Sequence, residues 1–132
     1  MNTPDEIITI RPQVPTETLQ RLPYFVGISG TSAGTRGLSM NKVIIPPGAK
    51  AEPHSHVGFE TAIYLIEGRV ETRYGRRLEK SVVNKPGDFL FIPPDLPHEA
   101  RNLSDTEPAV AIIARNTPSE QESVKLYEPP AP

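Results

Sequence analysis

Proline and glycine recur so often along this chain that they leave room only for short segments of regular structure. The 132 residues include 16 prolines and 9 glycines. Both residue types favour turns, and proline also interrupts helices, so the pattern indicates many short strands separated by turns. Apolar and β-branched runs, such as residues 38–45, 61–66 and 89–92, lie between those turns. Roughly eight or more such runs, spaced about ten residues apart, predict an all-β sandwich or barrel.

The length of the chain suits one hydrophobic core but not two. We predict an N-terminal arm over residues 1–22, a single barrel over residues 23–116 and a C-terminal tail over residues 117–132 that docks in part. Residues 7–10 of the arm and 124–127 of the tail contain β-forming side chains without a local partner. Since unpaired strand edges attract other chains, we expect these segments to lie across a second protomer in a homodimer.

Charge and composition restrict the kinds of partner and compartment. The formal net charge is −2 and the pI is about 5.9, which gives no electrostatic case for binding nucleic acid or an anionic membrane. Cysteine is absent, which excludes disulfides and thiolate metal ligands. The N-terminus lacks a signal-peptide pattern, and no apolar run approaches the roughly 20 residues of a membrane span. We therefore expect a cytoplasmic protein whose partner is a small molecule.

The stretch between Gly48 and Gly68 carries the strongest chemical signal. It places His54 and His56 two residues apart and Glu60 four residues further on. In an extended strand, residues i and i+2 project to the same face, so both imidazoles can reach one point. Imidazole suits zinc, copper, iron and nickel, and two histidines with one carboxylate leave open positions on a metal. The chain has only three histidines, so the third, His98, is a candidate for the same site.

Two groups of residues resemble the two sequence motifs of the cupin superfamily. Those that resemble the first motif are Gly48, His54, His56, Glu60 and Gly68. Those that resemble the second are Gly87, Pro93, His98 and Asn102. The resemblance implies a small jelly-roll barrel, also called a double-stranded β-helix, in which the two stretches face each other. It further implies that one divalent ion of iron, manganese, nickel, zinc or copper is bound by His54, His56, Glu60 and His98.

The first motif departs from the commonest cupin spacing by one residue. In that spacing the glutamate stands seven positions before the closing glycine, which is where this chain has Thr61, and Glu60 stands eight before Gly68. A slip of one residue turns a side chain to the opposite face of a strand. Either a bulge near residue 60 turns Glu60 inward, or the site consists of three histidines with Glu60 beside it. We favour Glu60 as a ligand.

The second motif departs from the family at one position, where Asp95 replaces the usual glycine. We expect this substitution to alter a turn more than the site. Three aromatic residues in or near the motifs, Tyr64, Phe89 and Phe91, are predicted to lie in the core, with one or two lining a cavity above the metal.

The resemblance does not decide between an enzyme and a non-catalytic binding protein, because cupins include both and fold does not determine function. Our first hypothesis is a small metal-dependent enzyme. A metal ion can act as a Lewis acid in isomerase, decarboxylase, lyase or cyclase chemistry, or support dioxygenase chemistry if it is redox-active. We predict a substrate that is a compact organic acid, enol or aromatic. The alternative is a non-catalytic module that binds a sugar or metabolite and has a structural metal. Tyr64, Arg101 and Glu99 are candidate catalytic residues, the last two because they lie near His98 in the sequence.

Overall fold

The computed structural model describes residues 5–12, 14–15, 22–119 and 121–131. The elements within them are β1 (Tyr24–Ile28), α1 (Gly30–Ala33), β2 (Ser39–Ile45), β3 (His54–His56), β4 (Thr61–Glu67), β5 (Val70–Tyr74), β6 (Lys80–Asn84), β7 (Phe89–Ile92), β8 (His98–Asn102), β9 (Ala109–Arg115) and β10 (Val124–Leu126). No helix among the described residues has the length and apolar character needed to cross a membrane.

The strands form two five-stranded sheets. Their orders are β1-β2-β9-β4-β7 and β10-β3-β8-β5-β6, and the paired strands are antiparallel. Neighbours that are distant in sequence, such as β2 with β9 and β3 with β8, produce the crossovers of a jelly roll. The all-β jelly-roll prediction is confirmed.

Alternation along the central strands builds the core between the sheets. In β2 and β9, every second residue is buried, as expected for strands with one face on the core. Val43 and Ile45 of β2 and Ala111 and Ile113 of β9 belong to one buried cluster. Arg115, two residues beyond Ile113, continues the buried series. A cation therefore projects into the interior at the end of an apolar strand.

Three aromatic residues that the sequence predicted in the core lie on the outside instead. Phe89 is 81% exposed, Phe91 60% and Tyr64 39%. Leu65 of β4 and Ile92 of β7 are the buried hydrophobic residues of these strands. The sequences of β4 and β7 are apolar almost throughout, so they do not show whether the odd-numbered or the even-numbered residues face inward. The sequence analysis assigned the wrong set to the core.

The Asp95 turn connects β7 to the histidine at the start of β8. Asp95 has a φ of 63°, a left-handed conformation that Asp tolerates better than most residues. Its Oδ1 accepts a hydrogen bond from the Gly58 N–H at 2.9 Å, and its N–H donates to the His56 carbonyl at 3.1 Å. The aspartate thus ties the turn before His98 to the segment that contains His56.

The tail docks on the barrel, whereas residues 7–10 of the arm are not in a strand. Strand β10 pairs with β3, so that Val124 lies opposite His56 and Leu126 opposite His54. In the arm, Ile7 is 98% exposed. The tail therefore completes the sheet beside the two histidines, and the pairing of the arm with a second protomer stays a prediction.

Candidate metal site

Three histidines from two adjacent strands converge in the interior. His54 and His56 lie on β3, and His98, the first residue of β8, is the register partner of His54. Their candidate ligand atoms all lie within 4.8 Å of one another. All three side chains are buried. The predicted convergence of the three histidines is confirmed.

Each imidazole is oriented by a backbone carbonyl at its Nδ1 atom. The distances are 2.7 Å from His54 to the Glu52 oxygen, 2.7 Å from His56 to the Glu122 oxygen and 2.9 Å from His98 to the Leu96 oxygen. A carbonyl oxygen can only accept, so each Nδ1 carries the hydrogen. The lone pair of each neutral ring is therefore on Nε2, the atom left to bind a metal.

Burial keeps these imidazoles neutral at ordinary pH. It lowers the pKa of His54 to about 3, with a smaller contribution from His98. Burial lowers the pKa of His56 to about 2, assisted by the nearby charge of Arg115. Burial likewise lowers the pKa of His98 to about 4. Since a protonated imidazole cannot bind a metal, these shifts favour metal binding around neutrality.

Glu60, the fourth predicted ligand, is not part of this cluster. It is exposed and precedes β4, and its backbone N–H donates to Asn116 Oδ1 at 2.8 Å. The next residue, Thr61, is the buried one. No register shift occurs where β4 begins at Thr61, so no bulge turns Glu60 inward. The expectation that Glu60 faces the interior is corrected, and the described cluster has three histidines.

A buried arginine that the sequence analysis missed lies against the histidines. Arg115 Nη2 is 2.9 Å from His56 Nε2, and since that Nε2 carries a lone pair, Arg115 is the donor. Arg115 Nε donates to Thr61 Oγ1 at 2.9 Å, across the register pair that joins β9 to β4. Its Nη1 donates to Glu122 Oε2. The alternation of β9 was the sequence signal that could have identified Arg115 as an interior residue.

Glu122 contributes to the site from the tail in two ways. Its carbonyl orients His56, and its buried carboxylate pairs with Arg115. Tyr24 and Asn41 also present hydrogen-bonding groups to this carboxylate. Burial raises the pKa of Glu122, and Arg115 acts in the opposite direction. Glu122 has a φ of 59°, an unfavourable conformation for a glutamate that tertiary contacts maintain.

The candidate catalytic residues from the sequence lie away from the histidine cluster. Tyr64 is on the outer face of β4. Arg101 is exposed and forms an ion pair with Glu71 at 3.2 Å. Glu99 is buried but pairs with the half-exposed Arg73 at 3.2 Å. Glu99 follows His98 on one strand, and adjacent residues of a strand face opposite sides.

An apolar cavity of about 60 Å³ extends from the histidines into the barrel. Its polar end includes His54, His98 and Arg115, and its walls are mostly aliphatic residues from both sheets, such as Leu65 and Ile113. The residues present fit a divalent metal ion, because three neutral nitrogen donors converge and a buried carboxylate offsets the charge of Arg115. The cluster could therefore hold a metal ion that is open towards the cavity.

Comparisons with known proteins match this architecture. The chain is 39% identical to the germin-like protein subfamily T member 3 of Arabidopsis thaliana over 92 residues, which are 65% of this chain and 39% of that protein. The chain thus spans well under half the length of this relative.

Two solved structures share the fold at low sequence identity. One is the oxalate decarboxylase of Bacillus subtilis, solved in a study of its Mn(II) centres, with a TM-score of 0.69 and 21% identity over 81% of this chain and 28% of that one. The other is an uncharacterized conserved protein from Klebsiella pneumoniae with a double-stranded β-helix domain. It has a TM-score of 0.66 and 20% identity over 91% of both chains.

The family itself is identified by a sequence model. The model for the cupin domain matches residues 41–114, which is more than half of the chain and includes all three histidines. The expected jelly roll and the buried histidine cluster accompany this match. The chain belongs to the cupin family.

Proposed function

We propose that this protein is a small metal-dependent enzyme whose His54, His56 and His98 hold one divalent ion and whose substrate is a compact organic acid, enol or aromatic. The observation that carries the proposal is the fixed orientation of the three rings. Each Nδ1 donates to a carbonyl, so each ring presents its Nε2 lone pair within one buried cluster. The lone pair of His56 accepts a hydrogen bond from Arg115, which a metal would have to replace. A group of histidines without a binding role would not require the same tautomer at all three positions.

The chain's own residues orient the ligands, exclude water and leave one side of the cluster accessible. The carbonyls of residues 52, 96 and 122 hold the rings, and the aliphatic walls keep the cavity apolar. When bound, the metal would supply Lewis-acid polarisation of a substrate oxygen or, if redox-active, oxygen chemistry. Manganese is the first ion to test, because the oxalate decarboxylase that shares this fold has Mn(II) centres.

The metal site can be tested by direct metal analysis of protein without a histidine tag. The protein is supplied separately with manganese, iron, nickel, zinc and copper, dialysed and analysed by mass spectrometry. We expect about one equivalent of at least one metal, and loss of most of it in His98→Ala, because two remaining imidazoles make a weak site. Glu60→Gln is the matched control and retains the metal if the site has three histidines.

Two outcomes contradict this proposal. If none of the five metals remains bound to the wild type, the histidines do not form a metal site. If His98→Ala binds metal as strongly as the wild type, the metal lies elsewhere. Loss of metal in Glu60→Gln would instead restore the four-ligand alternative.

A non-catalytic binding module is the second candidate function, and the composition of the cavity favours it. Apart from the histidines and Arg115, the polar side chains that line it among the described residues are Tyr24, Thr72 and Asn84. None of them is a carboxylic acid or an amine, and the Tyr24 hydroxyl is hydrogen-bonded to Glu122. Oxygen consumption and product analysis with diketones, flavonols and keto acids distinguish the two functions. Ligand binding without turnover by the metal-loaded protein supports the module, and turnover that is lost in His98→Ala supports the enzyme.

A further inference from the structure

The hydrogen bonds of Arg115 change when a metal occupies the histidine cluster. Its three nitrogens each have one described acceptor, namely Thr61 Oγ1, Glu122 Oε2 and His56 Nε2. The Nε2 atom of a neutral imidazole has a single lone pair. It can accept a hydrogen bond from Arg115 or bind a metal, but not both. A metal ion that takes His56 therefore removes the acceptor of Arg115 Nη2.

The displaced donor cannot turn to solvent at low cost. The Arg115 side chain is 2% exposed, and the hydrogen bonds of its Nε and Nη1 to Thr61 and Glu122 anchor the guanidinium. Nη2 must shift to make room for the metal, but these two contacts keep it inside the site. A buried donor of a charged group without an acceptor is strongly unfavourable. The metal also adds positive charge beside a cation, and the one Glu122 carboxylate balances only the arginine. An anionic oxygen on the metal would meet both requirements.

We propose that the metal ion and Arg115 Nη2 together bind the carboxylate of a short monocarboxylic acid. This inference rests on the proposed metal site and names a substrate class for it. The cavity of about 60 Å³ gives room for roughly four to six water-sized atoms. Among the described residues that line it, Arg115 carries the one formal charge and lies against the histidines, and most of the other lining residues are aliphatic. The carboxylate therefore lies beside Arg115 and the metal, and a short aliphatic chain extends between the sheets. Acetate and propionate have this size and polarity.

The size and charge of the ligand can be tested by calorimetry on the manganese-loaded protein. Acetate and propionate are titrated beside acetamide, which has the shape of acetate without its charge, and benzoate, which is too large for the cavity. We expect the first two to bind at least tenfold more tightly than the other two. Equal binding of acetate and acetamide, or of propionate and benzoate, would overturn the inference.

A test of the role of Arg115 requires variants that do not leave a charge unpaired in the interior. Arg115→Gln/Glu122→Gln removes both members of the buried ion pair and leaves the net charge unchanged. Arg69→Gln, which removes an exposed arginine, is the control for loss of a cationic side chain elsewhere in the protein. We expect acetate to bind at least tenfold more weakly to the double variant, as for loss of a charge-assisted hydrogen bond. Arg69→Gln is expected to bind it like the wild type.

Metal binding is measured on every variant so that the two proposals fail in different ways. If the double variant does not fold, Arg115→Lys decides. It keeps the charge but loses the planar arrangement of donors, and we expect about tenfold weaker acetate binding. Unchanged acetate binding in a folded, metal-loaded variant, or none in the metal-loaded wild type, overturns this inference alone. Absence of metal from the wild type overturns both.

Discussion

At the scale of single residues, the site combines neutral imidazoles with a buried ion pair. The carbonyl contacts fix the tautomers of His54, His56 and His98, and burial lowers the pKa of each ring. Arg115 and Glu122 carry opposite charges in direct contact beside them. Such an interior opposes protonation of the rings and leaves them as neutral nitrogen donors.

The lowered histidine pKa values predict that the metal-free protein loses stability in mild acid. Unfolded histidine has a pKa near 6.5, so between about pH 6.5 and 4 the unfolded chain binds more protons than the folded one. The free energy of unfolding therefore falls as the pH falls, by up to about 1.4 kcal/mol per pH unit for each histidine. The raised pKa of Glu122 changes the free energy of unfolding in the opposite direction, but it concerns one proton, whereas the histidines concern three. Urea unfolding in the presence of a chelator measures this effect.

The control for this experiment is His54→Asn/His56→Asn, which removes two of the three titrating groups. Its unfolding free energy should change less steeply over the same pH range. A wild-type protein with equal stability at about pH 7 and pH 5 would contradict the predicted linkage.

At the scale of secondary-structure elements, turns with positive φ set the positions of the strands. Gly68, between β4 and β5, has a φ of 92°, and a Cβ at this position would lie 2.7 Å from the Cβ of Ala109 in β9. Gly87 has a similar φ of 96°, but a Cβ there would meet no atom of the described residues within 4 Å. A comparison of the two glycines therefore distinguishes the cost of a left-handed backbone from the cost of a steric clash.

We expect Gly68→Ala to destabilise the protein more than Gly87→Ala. Both changes impose a left-handed conformation on alanine, at a cost of about 1–2 kcal/mol. Gly68→Ala adds a clash with Ala109, so its total should exceed that of Gly87→Ala by roughly 1–3 kcal/mol. Urea unfolding of the two variants side by side checks the difference. Equal losses would show that β4 and β9 move apart without cost.

The jelly roll was predicted from the resemblance to the two cupin motifs. Sequence spacing alone was sufficient to predict the strands of a sandwich or barrel and the approach of His54 to His56, because turn residues and i, i+2 periodicity are local signals. It was insufficient at Glu60 and Thr61, where one residue of register decides which side chain faces inward. It also failed to identify Glu122, which lies in the tail and reaches Arg115 only through tertiary packing. The faces of β7 were misassigned because its sequence, FLFI, is apolar throughout.

At the scale of the whole molecule, exposed apolar groups lie on one edge of the first sheet. Strand β7 is an outer strand of that sheet, and Phe89 and Phe91 project from it into solvent near Tyr64. Tyr64 and Phe89 contact each other, with ring centroids 4.7 Å apart. A strand edge of this kind favours association with another chain.

We expect the protein to form a homodimer, with twice the chain mass of 14.5 kDa in sedimentation at micromolar concentration. Phe89→Ser/Phe91→Ser should shift the mass towards the monomer if β7 takes part, and deletion of residues 1–12 should do so if the arm crosses to the partner. Val83→Ser, a single exposed change on β6 of the other sheet, is the control, because Val83 does not line the hollow that contains Phe89 and Phe91. A wild type that sediments only as a monomer would contradict the prediction.

The contact between His56 and the Glu122 carbonyl joins residues 66 positions apart. During translation, the ribosome releases β3 and β8 well before the segment that contains Glu122. The nascent chain can therefore form much of the barrel while the ring of His56 still lacks its carbonyl partner and Arg115 its counter-ion. The geometry of the histidine cluster is therefore complete only once the segment with Glu122 has been synthesised and has docked beside β3.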